Sequence, residues 1–168
     1  MSRDARRSAV AAAAALALAS SLAACGDDGG SARTDRQAEV AERGAEVMPF
    51  DLEATTHRFD PMDDGLVQTV VVDDPGDTDQ LALVREHLAD EAERFTAGDF
   101  GDPATIHGTD MPGLAELEAG GGAIDVAYED VPDGARITYT TTDPALVEAL
   151  HDWGEAQVMD HGDHAEHG

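Results

Sequence analysis

The chain has 168 residues, with 36 acidic side chains, 10 arginines and no lysine, for a formal charge of -26. Such a surface repels nucleic acid and anionic lipid headgroups, so nucleic acid is excluded as a partner. A single cysteine, Cys25, rules out an intramolecular disulfide, so the fold has to be held by its core.

Residues 1–24 read as an export signal. Arg3, Arg6 and Arg7 form a basic start, and residues 10–19 are an apolar run too short to span a membrane as a stable helix. The stretch Leu22-Ala23-Ala24-Cys25 resembles a bacterial lipobox, in which the cysteine is lipidated and becomes the first residue. The chain is therefore expected on the extracytoplasmic face of the cell membrane, lipid-anchored at Cys25. Residues 25–49 read as a polar tether with a short helix near 37–43, residues 50–158 as one small domain, and residues 159–168 as an acidic, His-rich tail.

Within the domain, residues 54–59 suit a strand, Met62-Asp63-Asp64-Gly65 a hairpin turn, and residues 66–72 the returning strand. Thr78 or Asp77 caps a helix running to about Thr96, with an apolar stripe of Leu81, Val84, Leu88, Ala92 and Phe95. Residues 98–120 show little periodicity and read as a long loop, with one or two helical turns near 114–118. A second hairpin follows, with strands at 123–128 and 136–141 around Val131-Pro132-Asp133-Gly134. Asp143-Pro144 then opens a helix to about Val158. The expected fold is a two-layer α+β domain: a four-stranded antiparallel sheet with two helices on one face, its repeated ββα order suggesting an internal duplication.

The candidate site residues follow from seven histidines in an exported chain. His107 and Met111 share the long loop, and imidazole with thioether suits copper better than a hard cation. His87 and Glu91 lie four apart on one helix face. His57 shares a strand face with Phe59 and can complete a set with the loop. His151 and Glu155 on the last helix, and His161, His164 and His167 in the tail, are secondary candidates. Against each stands a structural role: Met111 as a core plug, His107 as a turn cap, His87 with Glu91 as an intrahelical contact, His57 as a satisfied interior histidine. No G-x-S-x-G, H-E-x-x-H or free catalytic cysteine is present, which argues against an enzyme.

The strings T-T-H-R-F, G-L-V-Q-T-V-V, R-E-H-L with E-A-E-R-F, I-H-G-T-D-M-P-G-L, P-D-G-A-R-I-T-Y and D-H-G resemble a family of actinobacterial secreted proteins and lipoproteins. Its members often carry the label aspartate carbamoyltransferase, and the label implies carbamoyl transfer. The phosphate-binding Ser-Thr-Arg-Thr-Arg loop of such catalytic chains has its nearest counterpart at Ser31-Ala32-Arg33-Thr34-Asp35, without the second arginine. In the family's pattern a bulkier residue follows the tryptophan of the last helix. Gly154 departs from that and is expected to loosen the last turns. The reading from sequence is a membrane-anchored lipoprotein that binds copper or zinc through His and Met side chains. Its alternative is a structural or protein-interaction lipoprotein domain without metal; an enzyme as in the family label stands behind both.

Overall fold

The structure, a computed structural model, describes residues 28–168. Helix α1 spans Asp28–Val47 and is followed by a 3-10 turn at Leu52–Ala54. Strands β1 (Thr55–Met62) and β2 (Gly65–Val72) form a hairpin, and α2 covers Thr78–Thr96. Two short helices, α3 (Gly101–His107) and α4 (Leu114–Gly120), precede the hairpin β3 (Asp125–Val131) and β4 (Gly134–Thr140). Helix α5 runs over Pro144–His161, and a 3-10 turn leads to the two-residue strand β5 (Ala165–Glu166).

The sheet order is β3-β4-β2-β1-β5, antiparallel except for β5, which runs parallel to β1. This corrects the sequence expectation of four antiparallel strands and two helices in a repeated ββα unit: the described residues hold five helices and a five-stranded mixed sheet. The added elements have physical reasons. Residues 98–120 bury Phe100, Ile106, Met111, Leu114 and Leu117, so the segment folds into α3 and α4 to satisfy its backbone. The segment read as a tether buries Val40 and packs on α3 and α5. The tail returns to the open edge of β1, where His57 pairs with Ala165 and Arg58 with Glu166.

The two main helices are capped as their sequences dictate. Asp77 accepts from the Gln80 amide at the start of α2, and Asp143 from the Ala145 amide at the start of α5. Both pack on one face of the sheet, α2 against β2, β3 and β4, and α5 against β1 and β2. Between them lies the core, where the Trp153 ring meets Phe59 and Tyr139 edge-on at 5.9 and 5.7 Å. The glycines of the two Asp-Gly pairs serve the sheet interior. A Cβ on Gly65 would lie 1.8 Å from the Tyr139 carbonyl oxygen, and one on Gly134 would lie 1.8 Å from that of Val70. These residues sit near opposite ends of the β2–β4 ladder, where only glycine admits the neighbouring backbone. Gly154 is buried against Leu66 within an unbroken α5, so it lets the helix approach the sheet instead of loosening the last turns.

A buried histidine cluster as the candidate functional site

Four histidines from four elements border one interior cavity. His57 points inward from β1, His87 comes from α2, His107 ends α3 and His161 ends α5. Each position follows from local geometry. Thr55, His57 and Phe59 alternate onto the buried face of β1. His87 and Glu91 are one turn apart on α2, and Gln157 and His161 one turn apart on α5. The cavity is about 20 Å³, room for about one water molecule.

The His57 and His161 rings are parallel at 5.2 Å, and the His107 ring meets His161 edge-on at 5.1 Å. His57 is 4% exposed and its Nδ1 is buried without a hydrogen-bond partner. His107, 1% exposed, is fixed by Asp160: Nδ1 donates to Oδ2 at 2.8 Å, the carboxylate being acceptor only. Arg36 of α1 grips the same carboxylate with Nε at 3.1 Å and Nη2 at 2.7 Å, and Nη2 also donates to the His107 carbonyl at 2.6 Å. On the far side, His87 Nε2 lies 3.6 Å from Glu91 Oε1, and the Phe50 ring meets both His87 and His57.

His57 and His107 are buried and His87 and His161 half-buried, and desolvation is the largest influence on the shifted groups. Burial pushes His57 down to about 4, with the neighbouring His87 and His107 adding to the effect. Burial likewise holds His161 well below the usual histidine range and lowers His87. Burial raises Glu91 to about 8, aided by Asp102 and opposed by Arg94, so the carboxyl is protonated at neutral pH. Burial would raise Asp160 too, but the hydrogen bonds from His107 and Arg36 outweigh it and bring the group down to about 2.

The copper or zinc reading is corrected here. Among the described residues no group of three or more His, Cys, Asp or Glu side chains is placed to hold a metal ion. The physical reason is ring orientation. The stacked His57 and His161 rings differ by 4° in plane, so their in-plane lone pairs run side by side instead of converging. His107 spends Nδ1 on Asp160. Met111 is a buried core residue in the turn between α3 and α4, away from the cavity wall. A metal ion therefore also drops out as a partner.

The remaining candidates are dispersed. His151 Nε2 lies 2.9 Å from the carbonyls of Met62 and Gly65 and clips α5 to the first hairpin. Glu155 is exposed one turn further on. His164 Nε2 is 3.4 Å from Glu53 Oε1, and His167 Nδ1 donates to the Phe59 carbonyl at 3.3 Å. Cys25 lies outside the described residues. No described helix is long and apolar enough to cross a membrane. Sequence reasoning missed Asp160 and Arg36, which organise the cluster. The available signal was the adjacency of Asp160 to His161 at the end of an apolar helix.

Comparison with protein-family models, with curated proteins and with solved structures finds no match.

Proposed function

We propose that the chain is a non-catalytic structural or protein-interaction domain, held lipid-anchored on the extracytoplasmic face of the membrane. The family resemblance in T-T-H-R-F, I-H-G-T-D-M-P-G-L and D-H-G is kept as part of this proposal. The observation that carries the reading is the small volume of the polar cavity. The chemistry-bearing side chains face one another around a space of about 20 Å³, which admits about one water and no substrate. Their geometry ties β1, α1, α3 and α5 together, which is a structural task.

The surface such a domain has to offer is the sheet face turned away from α2 and α5. There the register aligns one residue from every strand: Glu166, Arg58, Thr69, Arg136 and Glu129. Each arginine pairs with the flanking glutamate, Arg58 Nε to Glu166 at 2.6 Å and Arg136 Nη1 to Glu129 at 3.0 Å. Val67 is half-buried beside Thr69, while Thr69 and Val71 are buried, so the exposed part of the row is its charged residues and Val67. In an acidic chain, this flat row of paired charges and small side chains suits a polar protein surface.

Photo-crosslinkers placed in living cells at the half-buried Val67, and at Glu148 on α5 as a control, test the reading. A discrete adduct from position 67 that disappears with Arg136→Glu supports it. Equal labelling from both positions, or none, overturns it.

A further inference from the structure

The cluster has an imbalance that its structural role leaves unused. His161 lies within ring contact of both His57 and His107, and the one carboxylate at hand, Asp160, is bonded to His107 and acts on His161 but not on His57. That carboxylate is already shared between His107 and Arg36. The groups facing the cluster from the surrounding elements do not mend the shortage. Helix α1 presents Arg36, with its own Glu39 and the Asp110 of the α3–α4 turn beyond it. Helix α2 presents His87 and the protonated Glu91, with Asp90 and Arg94 outside them. Helix α3 presents Asp102 toward His87 and Glu91, not toward His57. The turn after α5 presents His164, which leans on Glu53. A proton on His57 or His161 thus enters a desolvated site whose nearest counter-charge is already committed.

The elements bound to this cluster are the two ends of the described chain, α1 and the segment after α5. Beyond His161 the chain rejoins the sheet through two residues of β5 only. Helix α1 is fixed to the end of α5 through Arg36 on Asp160 and through Gln37 Nε2 donating to the Met159 carbonyl at 3.0 Å. Strands β2 and β4, in contrast, lie in the middle of the sheet with partners on both sides.

We propose that the His57–His107–His161 cluster is an acid-operated latch: protonation within it releases α1 and the segment from residue 161 onward, while the central sheet stays folded. The inference rests on the proposed membrane placement only for its consequence. Helix α1 is the element between Cys25 and the domain, so its release changes how far the domain stands from its anchor.

Hydrogen exchange on the full chain in detergent micelles, at pH 7.5 and pH 5.0 and corrected for intrinsic rates, tests the latch. The expected result is at least a tenfold loss of protection in residues 28–47 and 161–168 at pH 5.0, with residues 65–72 and 134–140 changed by less than about twofold. Unchanged protection in the two segments overturns the proposal, as does a loss shared equally by the central strands. The variant His161→Phe keeps a stacking ring that cannot take a proton, and is expected to hold both segments at pH 5.0. Release from that variant, once folded, overturns the latch. If it does not fold, an NMR titration of the wild-type imidazoles decides. Coupled protonation of His57 and His161 below pH 6.5, accompanied by shifts in α1, supports the latch; independent titration at 6.5 overturns it. Mass analysis of Cys25 reads the anchor separately, since an unacylated chain with a working latch removes the membrane placement alone.

Discussion

His57 and His161 stack face to face at 5.2 Å although one begins the sheet and the other ends the last long helix. Both rings are neutral at pH 7 because burial penalises their charged forms. The contact is therefore an apolar one made by polar side chains, and it fixes the sign of the protein's response to pH.

The folded-state value of His57, about 4, lies below its unfolded value of about 6.5, so between these limits the unfolded chain binds more protons. Stability therefore falls as pH drops from 6.5 toward 4, by on the order of 3 kcal/mol from this group. His161 acts in the same direction. Glu91 acts oppositely: its value is raised from 4.5 to about 8, so its contribution is full below 4.5 and is lost as pH rises to 8. Three histidines, since His87 is lowered too, against one carboxyl below pH 6.5, and the carboxyl alone above it, place maximum stability near pH 6.5. Urea denaturation from pH 4.5 to 8.5 is expected to give this bell shape, and a monotonic rise through pH 8 would contradict it.

Glu91→Gln isolates the alkaline limb. The amide preserves the shape of the protonated carboxyl next to His87 and cannot ionise. The variant is expected to match the wild type near pH 5 and to exceed it at pH 8.5 by on the order of 3 to 4 kcal/mol, since burial no longer opposes a charge. Equal stability of the two proteins at pH 8.5 would show that Glu91 has a hydrogen-bonded route to ionisation.

How much of this was legible in the sequence varies by element, for physical reasons. Helix α2 is readable because Asp77, a 3.6-residue stripe and Gly98 mark its start, face and end. Helix α5 carries the same kind of marker in Asp143-Pro144. Helices α3 and α4 have seven residues each and no side-chain cap, so the Gly- and Pro-rich stretch reads as a loop with one or two helical turns near 114–118, where α4 lies. Helix α1 exposes most of its length, and its buried Val40 and Gly44 give no apolar stripe. The histidines of the cluster stood out singly, but their meeting depends on the sheet order and on the return of the tail. Asp160 was hidden by abundance: one carboxylate among 36 acids stands out only by its adjacency to His161 at the end of α5.

Asp160→Ala tests the organiser of the cluster. It leaves the His107 Nδ1 buried without its acceptor and frees Arg36 from α5. Removing one partner of a buried pair costs about 2 to 4 kcal/mol. The expected outcome is a loss of that size at pH 7 in urea denaturation, together with faster proteolysis within residues 28–47. A change under about 0.5 kcal/mol, the usual range for a surface substitution, would show that the pairs do not hold α1.

The last prediction concerns the sheet. Gly65→Ala and Gly134→Ala each place a methyl group 1.8 Å from a carbonyl oxygen across the β2–β4 ladder, well inside any contact distance. Backbone has to move, because no flexible side chain is there to yield. Each variant is expected to lose more than about 3 kcal/mol or to fail to fold. Gly122→Ala is the control: its Cβ meets nothing within 4 Å, so the substitution is expected to stay within about 0.5 kcal/mol of wild type. Thermal unfolding of the three variants checks the ordering. Small and equal effects would mean that the β2–β4 ladder accommodates a side chain at its corners, and that Asp-Gly acts there as a turn signal alone.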